Sequence, residues 1–348
     1  MENKEQLFGK TLDELRELAM KEGLPKFTAK QLADWLYKKD ITSIEQMSNL
    51  SKEARKKLSE KYDFGLTPHT TVRESADGTK KYLFPAGAGN FIEAAYIPEK
   101  ARATLCVSSQ VGCKMGCLFC ATGKQGFQGQ LSSNQILNQI RSLPEREMLT
   151  NIVFMGMGEP FDNLENVLKA VRILTEPWGF EMAPRRVTVS TIGIVPGMKR
   201  FLEESKAHLA VSLHSPFEEE RKKIMPIESV YSLPQVMQAI KETEWGRQRR
   251  VSFEYIMFKN FNDQPRHVKG LVKLLHGLKC RINLLRFHPI PATPLESSSN
   301  ETIESFRDAL KEKGITTTIR TSRGQDIEAA CGLLSTKELV KKKQENDF

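Results

Sequence analysis

The residues with the clearest chemistry are cysteines, because four of the chain's six lie between positions 106 and 120. Three of them, Cys113, Cys117 and Cys120, follow the spacing Cys-x3-Cys-x2-Cys. Zinc sites usually take a fourth ligand from a second cysteine pair or a histidine pair, and neither is close by in the sequence. Three thiolates can hold three irons of a 4Fe-4S cluster and leave the fourth iron open to a small molecule. The spacing therefore predicts an iron–sulfur cluster. The alternatives are scattered core cysteines and a zinc site completed by a distant ligand.

The composition is that of a globular chain, with 348 residues of which 39% are hydrophobic and 27% charged, enough for one large domain or two smaller ones. The opening MENKEQLFGK has no apolar signal-peptide core, and no run approaches the roughly 18 apolar residues of a membrane span. Six cysteines are too few for a secreted disulfide scaffold. We therefore expect a cytoplasmic protein without membrane association. Its net charge of +9 favours a polyanionic partner such as nucleic acid.

Changes in periodicity divide the chain into predicted parts. Residues 1–65 show the spacing of short amphipathic helices, with Thr11 placed to cap the first and Thr28 beginning the second. They predict a small N-terminal helical domain. Residues 66–102 have strand-like segments separated by turn residues and predict a β-hairpin linker. The end of the chain, residues 335–348, is typical of a solvated helix or a frayed tail.

Residues 103–334 alternate apolar strand candidates with helical segments, which indicates right-handed βαβ units around a parallel sheet. An α/β fold of this kind forms either a partial (β/α)6-type barrel or a doubly wound sheet. No glycine-rich dinucleotide fingerprint follows the first strand, where the cysteine loop stands instead, so we predict the partial barrel. The predicted strands are ATLCVSS, NIVFMGMGE, RVTVST, HLAVSLH, VSFEYIMF, RINLLRF and TTTIRTS.

The three-cysteine loop, placed directly after the first barrel strand, resembles that of the radical S-adenosylmethionine (SAM) superfamily. The resemblance implies a 4Fe-4S cluster whose open iron binds the amino and carboxylate groups of SAM. An electron from the cluster then splits SAM and yields a 5′-deoxyadenosyl radical. More narrowly, the stretches ATLCVSSQVGCKMGCLFCATGKQGF, FMGMGEP, STIGIVPGM, SLHSP and DIEAACG are similar to the RlmN/Cfr family of radical SAM RNA adenine methyltransferases. The resemblance runs from residue 90 to residue 334.

The resemblance implies methylation of carbon 2 of adenine in RNA, by similarity at adenine 2503 of 23S rRNA and adenine 37 of tRNAs, with two SAM molecules consumed. The stretch SSQVGC and Pro160 after GMGE favour this RlmN-type activity, whereas SLHSPFEEERKKIMPI resembles Cfr, which methylates carbon 8, at least as well. A radical enzyme with another substrate and a non-catalytic iron–sulfur or zinc RNA-binding protein stay open as alternatives. The implied partners are RNA and an electron donor such as flavodoxin or ferredoxin, and we expect a monomer.

Three residues outside the cluster motif match family residues that act on the substrate. Carbon 2 of adenine is not nucleophilic, so an ordinary polar transfer from SAM has no reactive partner there. By resemblance, Cys331 in DIEAACG accepts a methyl group from a first SAM, and a second SAM provides the radical that activates this methyl group for addition to the base. Cys106 matches the residue that releases the adduct through a transient disulfide with Cys331. Glu93 in FIEAAYIP matches the proton acceptor.

The residues that match SAM contacts lie at the ends of successive predicted strands. Glu159 is expected to accept hydrogen bonds from the SAM ammonium group, and Gly158 permits close approach of the backbone. His288 departs from the family, which commonly has asparagine there, and an imidazole cannot both donate and accept with the geometry of a carboxamide. The predicted SAM contacts are Gly158, Glu159, Ser190, Ser212, Leu213, His214 and His288.

The positive charge is concentrated in four basic runs. They are expected to contact phosphates while the target base is extruded into the barrel. We also expect the N-terminal helical domain to bind RNA. The runs lie at residues 55–57, 184–188, 220–223 and 246–250.

Overall fold

The computed structural model of the protein describes residues 4–245 and 250–336, in which a ten-stranded sheet is accompanied by two short strand pairs. No helix in these two ranges is long and apolar enough to cross a membrane. In chain order the strands are β1 (Glu5–Gln6), β2 (Tyr62–Asp63), β3 (Thr71–Glu74), β4 (Lys80–Gly87), β5 (Asn90–Glu99), β6 (Arg102–Cys106), β7 (Gln110–Val111), β8 (Gly129–Gln130), β9 (Asn151–Phe154), β10 (Val187–Thr191), β11 (His208–Ser212), β12 (Val251–Met257), β13 (Cys280–Arg286) and β14 (Thr316–Ile319). The helices are α1 (Leu12–Lys21), α2 (Thr28–Tyr37), α3 (Lys52–Lys61), α4 (Ala121–Gln125), α5 (Ser133–Arg141), α6 (Leu164–Thr175), α7 (Val195–Glu204), α8 (Glu218–Ile224), α9 (Leu233–Lys241), α10 (Pro265–Leu275) and α11 (Asn300–Glu312).

The large sheet has the strand order β14-β13-β12-β11-β10-β9-β6-β5-β4-β3. All neighbours from β6 to β14 are parallel, and at least one helix lies in each connection of this series. The order is linear, so the barrel is open at one side. This arrangement confirms the predicted partial (β/α)6-type barrel, because a doubly wound sheet would reverse its strand order part of the way across. All seven predicted strands are present, with TTTI forming β14.

β3, β4 and β5 extend the same sheet as an antiparallel meander. The turn between β3 and β4 contains Gly78 at φ +81°, a conformation that glycine adopts without strain. β5 pairs with β4 on one side and with β6 on the other, where Ala95 lies opposite Cys106. The predicted hairpin segments are therefore strands that share hydrogen bonds with the barrel.

The N-terminal helices form as predicted from their capping residues. Thr11 Oγ1 accepts a hydrogen bond from Glu14 N at 3.2 Å, and Glu14 Oε2 accepts one from Thr11 N at 2.6 Å. This reciprocal pair is a capping box, which fixes the start of α1. α2 begins at Thr28. Buried leucines of α1 to α3 join the hydrophobic core that continues into the barrel, among them Leu15, Leu32, Leu36 and Leu58.

The barrel strands are held by apolar burial on both faces of the parallel sheet. Because the carboxyl ends of parallel strands meet at one edge, the residues that follow the strands converge there. The apolar side chains of the strands thus hold the sheet together and bring the polar residues at the strand ends to the same edge. Fully buried strand residues include Leu105, Ile152, Val189, Leu209, Phe253 and Ile282.

Asn134 of α5 fastens the N-terminal segment to the barrel. Its buried Nδ2 donates hydrogen bonds to the carbonyl oxygens of Phe8 at 2.9 Å and Gly65 at 2.8 Å. We predict that Asn134→Ala lowers the free energy of unfolding by about 1–3 kcal/mol, because two carbonyls lose their donor. Urea denaturation measures this change. The matched control is Asn300→Ala at an exposed site, for which we expect a loss below about 0.5 kcal/mol; equal losses in the two variants would contradict the role of Asn134.

Candidate active site

The three-cysteine loop is folded tightly between β7 and α4. Gly112 adopts φ +71°, and a Cβ at this position would lie 1.7 Å from the carbonyl oxygen of Gly126. That same oxygen accepts a hydrogen bond from Cys113 N at 3.2 Å, and Cys120 N donates to Cys117 O at 3.2 Å. Position 112 therefore accommodates glycine alone, and the loop closes on itself around its three cysteines.

Cys113, Cys117 and Cys120 line one cavity of about 150 Å³. All three are free thiols. Burial raises the pKa of Cys113 to about 12 and raises the pKa of Cys117 well above its usual value. Thiolates at these positions therefore need a strongly cationic partner. These all-sulfur donors on one cavity wall are the ligand type that an iron–sulfur cluster takes, whereas no group of three or more histidine, cysteine or carboxylate residues in the described part of the chain is arranged to hold a single metal ion.

Glu159 follows β9 and lies on the wall of the same cavity. Its carboxylate accepts hydrogen bonds from Thr191 Oγ1 at 2.6 Å and from Ile192 N at 3.0 Å. Burial nevertheless raises its pKa to about 7. Gly158 has φ +98°, and a Cβ there would lie 2.5 Å from Gln110 Cβ. The carboxylate is thus fixed in position at a turn that requires glycine.

The ends of β10 and β11 supply the next part of this wall through Ser190, Ser212 and His214. Burial lowers the pKa of His214 to about 3, so its imidazole is neutral. His214 Nδ1 accepts a hydrogen bond from Ile256 N at 3.0 Å, which fixes the ring against β12. The side chain of Leu213 is fully buried and does not line the cavity. Four of the predicted SAM-contact residues, counting Glu159 with these three, therefore share one cavity through their side chains.

His288 is placed apart from that group. It lines a second, larger cavity of about 590 Å³ and does not line the smaller one. Its Nε2 lies 3.0 Å from Ser322 Oγ, and burial lowers its pKa. The structure therefore does not bring the side chain of His288 together with that of Glu159 on one cavity wall.

The larger cavity brings together Cys106 and Cys331 from distant parts of the chain. Cys106 ends β6 and packs with Ala95 and Ala329 in a small apolar cluster. Burial, reinforced by Cys331, raises the pKa of Cys106 to about 12. Cys331 is exposed and lines the smaller cavity as well. Both cysteines are free thiols, so the expected disulfide is not formed in this structure.

The helix that follows the three-cysteine loop holds the segment that carries Cys331. Ala121 N donates a hydrogen bond to Gly332 O at 2.8 Å. Thr122 Oγ1 donates to Leu334 O at 2.6 Å. The two parts of the site are therefore joined directly, although they lie far apart in the sequence.

Glu93 of β5 is buried and lines neither cavity. Lys81 Nζ lies 3.1 Å from Glu93 Oε1, and Ser335 N donates to Glu93 Oε2 at 3.0 Å. Burial raises the pKa of Glu93 against the opposing effect of Lys81. Sequence analysis missed Lys81. The contact follows from the register of the hairpin, in which Lys81 on β4 lies diagonally across from Glu93 on β5. Only a correct prediction of that register would have identified Lys81.

Two ionisable residues that line both cavities were also missed, Glu254 of β12 and Arg320 just after β14. Arg320 Nη1 lies 3.9 Å from Glu254 Oε2. Cys331 and, to a lesser extent, Glu254 raise the pKa of Arg320, so the guanidinium is charged. The signal for Glu254 was a carboxylate inside the otherwise apolar stretch VSFEYIMF.

One residue of the basic run at residues 220–223, Arg221, does not fit the expectation that the run contacts phosphates. Arg221 is fully buried, where it pairs with Glu228 and donates to the carbonyl oxygen of Ile192. A buried guanidinium is stable only with such partners, and this one cannot reach an RNA phosphate. Arg221 is therefore a structural residue, which corrects the expectation at this position.

Other basic positions lie on the larger cavity. Arg185 and Arg250 line it at the amino ends of β10 and β12. Residues 246–249, the rest of the fourth basic run, are outside the described residues. So are residues 337–348 of the predicted tail.

Comparison with known protein families covers both the helical part and the barrel. A model described as the radical SAM superfamily matches residues 107–271. A second model, described as the ribosomal RNA large subunit methyltransferase N-terminal domain, matches residues 5–63. The first match contains all three cysteines of the loop, and the second contains α1 to α3.

Similar proteins extend over nearly the whole chain. One from Parabacteroides distasonis, "Probable dual-specificity RNA methyltransferase RlmN", is 56% identical over 340 residues, which covers 98% of this chain and 99% of that protein. The "Dual-specificity RNA methyltransferase RlmN" of a Nitratiruptor species is 43% identical and covers 94% and 97%. A crystal structure of a radical SAM methyltransferase from Sphaerobacter thermophilus is 38% identical, with a TM-score of 0.87 and coverage of 95% and 99%. The chain therefore belongs to the RlmN family of radical SAM enzymes and is a SAM-dependent RNA methyltransferase.

Proposed function

We propose that this enzyme methylates carbon 2 of an adenine in RNA, with 23S rRNA and tRNA as substrates, by way of a methylated Cys331 and two SAM molecules. The position of Cys331 carries the proposal. Among the described cysteines outside the three-cysteine loop, Cys331 alone lines both cavities. A methyl carrier has to face SAM on one side and the substrate on the other, and the place of this thiol on two cavities supports that role.

Cys113, Cys117 and Cys120 are the proposed ligands of the 4Fe-4S cluster that radical SAM membership implies. When bound, the cluster supplies the electron for reductive cleavage of SAM. Glu159 is the proposed acceptor for the SAM ammonium group, and its carboxylate is already oriented by hydrogen bonds from its own chain. The other proposed SAM contacts on this cavity are Gly158, Ser190, Ser212 and His214, with Leu213 contributing its backbone alone. The proposed contact of His288, which lines the larger cavity, rests on the sequence resemblance alone.

Cys331 acts first as a nucleophile. Its thiolate takes the methyl group of the first SAM, and the electron pair of the broken C–S bond leaves with S-adenosylhomocysteine. After the one-carbon unit has been joined to the base, Cys106 attacks the sulfur of Cys331. A disulfide forms, and the carbon leaves with its electron pair and takes a proton.

Glu93 is proposed as the proton acceptor, and its raised pKa suits that role. Its carboxylate lines neither cavity, and Ser335 N donates a hydrogen bond to it. Contact with a substrate base therefore requires this backbone bond to open. Such an opening moves the segment that also carries Cys331.

The proposed organisation is an RNA-binding helical domain over residues 1–65, a strand extension with Glu93 over residues 66–102, the barrel over residues 103–334, and a tail over residues 335–348. The match of residues 5–63 to an rRNA methyltransferase N-terminal domain supports the first assignment. The proposed reductant is a flavodoxin or a ferredoxin, and the proposed active form is a monomer.

Mass spectrometry of nucleosides from RNA treated with enzyme, reductant and SAM tests the position of methylation. We expect 2-methyladenosine. Detection of 8-methyladenosine would assign the Cfr-type reaction instead. SAM cleavage without a methylated adenosine would point to another substrate, and a colourless, zinc-loaded protein would support the non-catalytic alternative.

Replacing Cys113, Cys117 or Cys120 with alanine is predicted to abolish cluster binding and methylation together. Iron content should fall from about four per chain to below about one, because two thiolates cannot hold the cluster with an open iron. Anaerobic iron analysis and absorption spectra measure this loss. Cys280→Ala is the matched control, since Cys280 is partly buried and lines neither cavity. Full iron content in any of the three loop variants would reject the assignment.

Cys331 and Cys106 are predicted to have opposite phenotypes in covalent trapping. Cys331→Ala has no sulfur through which to join RNA, so it should form no adduct. Cys106→Ala should still accept the methyl group and add to the base, and then stall with RNA attached to Cys331. Each variant is incubated anaerobically with reductant, SAM and RNA and run on a denaturing gel.

Two outcomes of the trapping experiment would contradict the assigned roles. An RNA-shifted band with Cys331→Ala would remove Cys331 from its role. The absence of a shift with an iron-loaded Cys106→Ala that still cleaves SAM would remove Cys106. Cys280→Ala serves again as the control, with normal turnover and no accumulated adduct.

A further inference from the structure

Ser335 and Thr336 are held against α4 by one side chain. Gln125, the last residue of α4, is half-buried. Its Oε1 accepts hydrogen bonds from Thr336 N at 2.8 Å and from Ser335 Oγ at 3.1 Å. Its Nε2 donates to Thr336 Oγ1 at 2.8 Å and to Gln128 Oε1 at 2.8 Å. The carboxamide therefore uses both its acceptor positions and both its donors, and most of these bonds go to Ser335 and Thr336.

The same two residues cover the proposed proton acceptor. Ser335 N donates to Glu93 Oε2 at 3.0 Å, and Thr336 Oγ1 donates to the carbonyl oxygen of Phe91 at 3.3 Å. The other oxygen of Glu93 lies 3.1 Å from Lys81 Nζ. Glu93 is only 8% exposed and lines neither cavity. Both oxygens of the carboxylate are thus engaged by the chain itself, and a substrate base cannot reach them while Ser335 stays in place.

The bonds that hold the Cys331 segment are separate from those that cover Glu93. Ala121 and Thr122 donate to backbone carbonyl oxygens of the residues that follow Cys331. Gln125 lies about one helical turn further along α4 and holds the two residues that cover Glu93. Loss of the Gln125 carboxamide therefore loosens the cover of Glu93 and leaves the two bonds behind Cys331 intact.

These bonds set an opening equilibrium for residues 335–336. Each hydrogen bond contributes modestly, because water replaces it when the segment opens, and the loss of three such bonds shifts the equilibrium by about 10–100-fold. A base that needs Glu93 binds only to molecules in which these residues have left the carboxylate. Its apparent affinity is therefore reduced by the fraction of molecules that are open. The bonds of Gln125 thus oppose binding of the base.

We propose that Gln125 is a positioning residue, which acts through Ser335 and Thr336 to keep Glu93 covered until an RNA base displaces them. The proposal rests on the proposed function for the role of Glu93. A residue that only fastened a loop would leave RNA affinity unchanged or lower it when replaced. Replacement of Gln125 is instead expected to raise the affinity for RNA, so the two roles differ in the direction of the effect.

Hydrogen–deuterium exchange of the Ser335 amide measures the opening, since the acceptor of this amide is unchanged in every variant. In the cluster-loaded protein, Gln125→Ala should exchange it about 10–100-fold faster than the wild type. Gln125→Glu should stay within about threefold, because its carboxylate still accepts from Thr336 N and the Thr336 hydroxyl can turn to donate to it. Gln238→Ala is the matched control, since Gln238 is exposed on α9 and lines neither cavity. It should exchange like the wild type.

RNA binding is the functional readout. Dissociation constants are measured with an unmodified tRNA and with the same tRNA lacking the base at position 37. Gln125→Ala should bind the intact tRNA about 10-fold tighter than the wild type, because a larger fraction of the protein is open. It should bind the abasic tRNA like the wild type, since no base there needs Glu93. Thr336→Ala removes the hydroxyl partner of Gln125 and should change the exchange of Ser335 and the binding of intact tRNA in the same directions.

Equal or weaker binding of the intact tRNA by Gln125→Ala would overturn the proposal, and so would unchanged exchange of the Ser335 amide. Tighter binding of both tRNAs alike would overturn it as well, because the gain would not involve the base. Thr336→Ala gives the same test from the other side of the contact if Gln125→Ala does not fold. Full methylation activity in Glu93→Gln would instead overturn the role of Glu93 in the proposed function.

Discussion

The site depends on one junction, the hydrogen bonds between α4 and the segment that carries Cys331. Ala121 N donates to Gly332 O at 2.8 Å, and Thr122 Oγ1 donates to Leu334 O at 2.6 Å. Because α4 begins directly after Cys120, order in the three-cysteine loop is passed to Cys331 through these bonds. A group that binds the ordered loop stabilises it by mass action. Part of that free energy then stabilises the position of Cys331, so the proposed cluster site and the proposed methyl carrier are coupled.

Burial sets the charge state of the groups around the cavities. Burial raises the pKa of Glu159 to about 7, and lowers that of His214 to about 3. These opposite shifts have one cause, because a low-dielectric site disfavours the charged form of an acid and of a base alike. A cationic ligand beside Glu159 lowers its pKa again and restores the carboxylate. The site therefore favours a ligand that brings its own positive charge, as the SAM ammonium and sulfonium groups do.

Much of the fold was predictable because periodicity and capping are local. The capping box at Thr11 and the seven barrel strands were confirmed. Cavity lining was less predictable, since an apolar pattern reports burial but not which buried residue faces a cavity. The sequence around Arg221 is typical of a charged surface, but the residue is buried. The sequence around Glu254 shows only one polar residue in an apolar strand, but its side chain lines two cavities. The contact of Lys81 with Glu93 depends on the register of the hairpin. The cavity that His288 lines depends on the path of the chain beyond β13. These are tertiary properties that spacing does not determine.

The antiparallel meander of β3, β4 and β5 both protects the edge of the barrel sheet and positions residues of the candidate site. β6 would otherwise be an edge strand with unpaired backbone groups, and β5 covers that edge. The register sets Ala95 opposite Cys106, and residues opposite each other in an antiparallel pair point to the same face. Glu93 lies two residues from Ala95 and shares that face, since side chains alternate along a strand. A slip of one residue would turn Glu93 toward the opposite face. The pairing of β5 with β6 thus fixes both the proposed proton acceptor and the space around Cys106, the proposed resolving residue.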